Sequence, residues 1–104
     1  MLKELLIGNI SQDEYFGIYD IKLLRRNLPK KIYGFVFNYK IYNYIVINNS
    51  ISQEKVKKTL LHEMAHVELK HLAKRKKIME FRIEGLEDEA DEYIKRIKEE
   101  IEYE

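Results

Sequence analysis

The sequence predicts an α+β fold, a small antiparallel sheet of about three strands packed on one long helix and a C-terminal helix. Three observations carry this expectation. IYGFVF (32–37) and IYNYIVIN (41–48) are rich in β-branched and aromatic residues, and Asn38-Tyr39-Lys40 separates them as a hairpin connection. From Gln53 to Leu72 there is no Gly or Pro, and Val56, Leu60, Met64 and Val67 recur at spacings of three and four. The same period runs through Ile83, Leu86, Ala90, Tyr93, Ile97 and Ile101, which predicts a second helix from Ile83 to the C-terminus.

In chain order, residues 2–7 are read as a short helix and Ile18 to Leu23 as a strand. Pro29, within RRNLPKK, separates that strand from the hairpin. Most of the eight tyrosines fall in or near the strands, where packing with the hydroxyl at the rim is their ordinary role. The stretch NNSISQEK supplies helix-start chemistry, with Ser50 or Ser52 as the cap and Ser50 with Gln53 fitting a capping box.

The 104 residues form one domain, spanning 1–104. With 36% charged and 45% hydrophobic residues, the chain has the balance of a folded soluble protein. Cysteine is absent, which excludes disulfides and thiolate ligands and agrees with a cytoplasmic location. MLKELLIGNI does not read as a signal peptide, and no apolar run is long enough to span a bilayer, so no membrane partner is expected. A net charge of +1 gives no global field for nucleic acid, and none is expected as a partner. The basic stretch Lys70 and Lys74-Arg75-Lys76-Lys77 and the acidic stretch Glu84 to Asp91 are read as solvated surface unless another motif recruits them.

One motif does. LLHEMAHVELKH (60–71) holds all three histidines and contains H-E-x-x-H, His62-Glu63-Met64-Ala65-His66. In a shuffled chain of this composition the pattern would occur roughly 0.008 times, and here it falls in the best-supported helix. Residues four apart lie one turn apart on one helix face, so His62 and His66 can aim ring nitrogens at a single zinc ion. Glu63 projects beside the pair, where a carboxylate can take a proton from a metal-activated water. Catalytic zinc takes three protein ligands. His71 is rejected as the third, because five residues beyond His66 places it about 140° around the helix. The remaining source is a carboxylate of the second helix. Glu87 is favoured over Glu84 and Glu89, because Glu87 and Asp91 share a face beside the Leu86–Ala90 stripe. Asp91 can then hydrogen-bond a ligand histidine, and the small Ala90 lets the two helices approach.

These residues resemble the ImmA/IrrE family of metallo-endopeptidases. The family's strand ending in I-x-I-N is matched by Ile45 to Asn48, and its T-L-x-H-E-x-x-H helix by Thr59 to His66. Its E-x-x-A-[ND]-x-[FY] helix is matched by Glu87, Ala90, Asp91 and Tyr93. The resemblance covers roughly residues 18 to 94 and implies a zincin-like fold, with His62, His66 and Glu87 as zinc ligands and Glu63 as base. It also implies a regulatory protease acting on a protein such as a transcriptional repressor. Ala65 stands where the family usually has Gly and Ile94 where it often has Ala, so the chain reads as a minimal catalytic core. An extended substrate can pair with the exposed sheet edge, with Tyr39, Tyr42 or Tyr44 steadying the oxyanion. Two other readings are a non-catalytic, metal-stabilised protein-binding module and, more remotely, a nucleic-acid binder using the Lys74–Lys77 run.

Overall fold

The computed structural model describes residues 1–75 and 77–103; Lys76 of the basic run and the terminal Glu104 lie outside the described residues. The elements run α1 (Leu2–Leu6), α2 (Gln12–Ile18), β1 (Ile21–Arg26), β2 (Ile32–Tyr39), β3 (Tyr42–Asn48), α3 (Gln53–Leu72), β4 (Met79–Ile83) and α4 (Glu89–Glu102). The strands make one sheet in the order β1-β3-β2-β4. The β2–β3 hairpin and the β2–β4 pair are antiparallel, whereas β1 pairs with β3 in parallel. The architecture is therefore the expected α+β, but the sheet is mixed and four-stranded where three antiparallel strands were anticipated. No helix among the described residues is long and apolar enough to cross a membrane.

The long helix falls on the residues its periodicity indicates, Gln53–Leu72. Its cap is Ser52, whose hydroxyl accepts from the Lys55 N–H, while the Ser50 N–H turns back to the Asn48 side chain. Three local expectations shift. Ser11 and Glu14 form a reciprocal capping box that starts α2, so Ile18 closes a helix and β1 begins only at Ile21. Ile83, expected to begin the C-terminal helix, instead ends Met79–Ile83, a fourth strand that pairs with β2. The C-terminal helix starts at Glu89, after Gly85 takes a positive φ of 81° and Asp88 caps the first turn.

Strand alternation divides the sheet into two faces. Val36, Ile45 and Ile47 point to the helices and form the core with Met64, Ala65, Val67, Ala90 and Ile97. On the opposite face Phe35 packs against Phe81 and Phe37, and Phe37 stacks on Tyr44 at 5.2 Å. At Gly34 the sheet comes close to Thr59 of α3. A Cβ there would lie 2.6 Å from the Val46 carbonyl oxygen and 2.9 Å from Thr59 Cγ2.

The helices converge on Glu68, a fully buried carboxylate of α3. It accepts from the Leu2 N–H at 2.8 Å, the Tyr19 hydroxyl at 2.9 Å, the Tyr15 hydroxyl at 3.3 Å and the Tyr93 hydroxyl. These three tyrosines lie outside the strands, and their hydroxyls point inward to an anion rather than outward to a rim. Burial alone would push the Glu68 carboxyl up; the Tyr93 and Tyr19 hydrogen bonds outweigh it and hold the carboxyl below its ordinary value. Burial, reinforced by Glu68, raises all three phenols.

Two outcomes follow from this packing. Gly34→Ala should destabilise the fold by about 1–3 kcal/mol in chemical denaturation, because the Val46 carbonyl is backbone and cannot move aside. Glu68 binds a proton less readily folded than unfolded, so the stability it contributes is present above the unfolded pKa of about 4.3 and is lost as pH falls through its lower folded value. Glu68→Gln should therefore lower stability at neutral pH and flatten the acid limb of the stability–pH curve.

Candidate metal centre

α3 carries His62 and His66 one turn apart, both buried, with ring centroids 4.7 Å apart. The start of α4 faces them. Asp88 Oδ2 lies 2.8 Å from His66 Nε2 and 3.3 Å from His62 Nε2. One ligand atom each from His62, His66 and Asp88 fall within 4.8 Å of one another. Asp88 reaches this position because it is the N-cap of α4. Its Oδ1 accepts from the Ala90 N–H, which leaves Oδ2 directed at the imidazoles.

Asp91 completes the capping box by accepting from the Asp88 N–H on Oδ2 at 3.0 Å. Its Oδ1 lies 3.0 Å from His62 Nδ1. A carboxylate at Nδ1 favours the tautomer with its proton there, leaving Nε2 bare and aimed at the cluster. Asp91 thus stands where the sequence expectation put it, against a ring of the histidine pair.

The third carboxylate differs from the expectation. Glu87 is exposed and precedes the cap, and the carboxylate gathered with the imidazoles is its neighbour Asp88. The cause is the phase of α4: a helix continuous from Ile83 would turn Glu87 inward, but the Asp88 cap begins the helix later and aims Asp88 there instead. His71 is exposed and packs edge-on against Tyr19, with centroids 5.5 Å apart, away from the cluster. Tyr44 and Tyr42 belong to the aromatic face opposite α3, and Tyr39 is exposed beside the hairpin turn, so none of the three is gathered at the histidines. The sequence reading did not single out Arg82 and Glu80. They lie on the face of β4 that alternates with Met79, Phe81 and Ile83, and Arg82 donates to Asp91 Oδ2 at 2.9 Å.

Glu63 lies beside this cluster in an unusual state. It is fully buried, and both its oxygens, like His62 Nε2, make no hydrogen bond among the described residues. Burial holds its carboxyl well above the usual range; Asp88 and Glu80 push the same way, and Arg82 opposes them. Burial likewise pulls the His62 imidazole down, against the hydrogen bond to Asp91. Burial would push Asp88 up, but the two imidazoles and the helix-capping bond bring it below its ordinary value. Two ring nitrogens and a carboxylate oxygen gathered in one place, beside a buried acid that makes no hydrogen bond among the described residues, fit a divalent cation. The N, N, O donor set is that of a three-ligand catalytic zinc site.

The profile of the IrrE N-terminal-like domain, a family of M78 peptidases, matches residues 15–101. No curated protein and no solved structure matches the chain.

In the metal-free protein, His62 should protonate at lower pH than a free histidine, followed by NMR of its ring protons. Asp91→Asn removes a carboxylate that favours the imidazolium and should drive that midpoint lower still.

Proposed function

The chain belongs to the IrrE N-terminal-like family of M78 metallopeptidases, and on that basis we propose that it is a zinc-dependent endopeptidase hydrolysing peptide bonds in a protein substrate. The observation that carries this reading is Glu63: a buried carboxylate with no hydrogen bond among the described residues, raised out of its usual range, with Oε1 3.5 Å from His62 Nε2 of the His62–His66–Asp88 cluster. A carboxyl held there for structural reasons alone would be expected to have found donors.

In this reading His62 Nε2, His66 Nε2 and Asp88 Oδ2 hold the ion, and Asp91 keeps the His62 ring in orientation. Zinc at that position would supply a Lewis acid that polarises a carbonyl and lowers the pKa of water to about 7. Glu63 accepts a proton from the attacking water on a carboxylate oxygen and delivers it to the nitrogen that leaves. Burial and the neighbouring Asp88 and Glu80 raise that carboxyl above its ordinary range, the direction that helps it hold the proton between the two halves of the transfer. The substrate segment lies in extended form along β4, an outer strand of the sheet whose other edge is paired to β2. Glu80 and Arg82 point from that strand to the Glu63 side. The resemblance to ImmA/IrrE proteins favours a regulatory protein, such as a transcriptional repressor, as the substrate.

Metal analysis and cleavage together test the reading. Wild type should take up zinc near one equivalent, and Glu63→Gln should keep both fold and zinc while cleavage falls at least ~100-fold. A Glu63→Gln protein that cleaves as wild type, or a wild type that takes up no zinc, would sink it. Asp88→Ala should lose zinc and Glu87→Ala keep it; the reverse would restore Glu87 as the third ligand. New N-termini appearing in a cell lysate with wild type, and not with Glu63→Gln, would identify the substrate by mass spectrometry.

A further inference from the structure

Resting on the metallopeptidase reading, we propose that Arg82 is a positioning residue for the metal centre, holding Asp91 and the loop that presents Asp88 in the geometry that binds zinc. Arg82 points inward from β4 and pairs across the ladder with Gly34, which has no side chain on that face. Its side chain is about four-fifths buried. One nitrogen, Nη1, donates to two acceptors: Asp91 Oδ2 at 2.9 Å and the Leu86 carbonyl at 2.7 Å.

Those two contacts reach both halves of the site. Asp91 uses its other oxygen on His62 Nδ1, so Arg82 Nη1, Asp91 and His62 form one continuous line of bonds. Leu86 lies two residues before Asp88, in the stretch between β4 and the α4 cap. Holding its carbonyl ties that stretch to the sheet. Among the described residues, the only other bond to Asp91 Oδ2 comes from the Asp88 N–H, within the same helix start. A capping box alone leaves the first turn of α4 free to fray as a unit, carrying Asp88 and Asp91 with it. Arg82 connects that turn to β4, a different element. The charge-assisted bond to a carboxylate is also the stronger kind, and it fixes the Asp91 side chain in place against His62.

A residue that merely packs would lower stability and leave zinc affinity untouched, or lower both without regard to Asp91. A positioning residue acts largely through Asp91, so where Asp91 can no longer orient His62 its effect should shrink to the share carried by the Leu86 carbonyl. The test is zinc affinity of the full chain, by competition with a chromophoric chelator, in wild type, Arg82→Gln, Arg82→Lys, Asp91→Asn and the Arg82→Gln/Asp91→Asn double variant. Arg82→Gln should weaken zinc binding ~10–100-fold. Adding it to Asp91→Asn should cost little more, and Arg82→Lys should recover most of the affinity. Wild-type affinity in Arg82→Gln, or full additivity in the double variant, would overturn the proposal. Should Arg82→Gln fail to fold by circular dichroism, Arg82→Lys carries the test: near-wild-type affinity supports the proposal, and a loss as large as that of Asp91→Asn overturns it. A wild type that takes up no zinc defeats the metallopeptidase reading itself, so the two failures are read in different samples.

Discussion

Everything in this molecule is arranged around one buried negative charge, that of Glu68. An ionised carboxylate taken out of water must be surrounded by donors, or the fold that buries it does not form. α3 cannot supply those donors itself, because its own N–H groups are used within the helix. They come from α1, α2 and α4 through Leu2, Tyr15, Tyr19 and Tyr93. Satisfying one group therefore fixes three helices against a fourth. The consequence extends to the candidate site, because Tyr93 lies two residues beyond Asp91 on α4. The depth at which Tyr93 docks on Glu68 sets where the first turn of α4, with Asp88 and Asp91, meets the histidines.

The same helix carries a second buried glutamate with the opposite treatment. Glu63 and Glu68 are five residues apart and both fully buried, yet one is saturated with donors and the other has none. Their carboxyls are accordingly displaced in opposite directions from the ordinary value. Glu68 is held as an anion that anchors packing. Glu63 is held in a state that costs folding energy, tolerated where the surrounding core and the Glu68 network outweigh it.

Sequence reasoning reached α3 and the histidine pair because both depend on information within one helical turn: apolar spacing, an uninterrupted run and two histidines four apart. It reached Asp91 for the same reason. It missed β4, whose five residues MEFRI alternate but follow a basic run and precede an acidic one, and which become a strand only by pairing with a distant β2. The carboxylate that the structure gathers with the imidazoles lies one residue beyond Glu87, because the apolar period of α4 gives its face but not its starting phase. That phase is set by the reciprocal Asp88–Asp91 bonds, a cap that one-sequence pattern reading could have weighed. Glu68 left no mark at all, being one of three glutamates in a charged helix.

The strand order has a consequence for how the molecule comes together and apart. The β2–β3 hairpin is local in sequence and central in the sheet, and the parallel β1 joins it from the near side. β4 reaches β2 only after the whole of α3 has been laid down, closing the long loop between Phe35 and Phe81. Long loops close late and at greater entropic cost, and what closes last opens first. β4 and the α4 cap thus belong to the part of the molecule that assembles last. An ion gripping both sides would then act chiefly as a brake on unfolding rather than as a guide to folding.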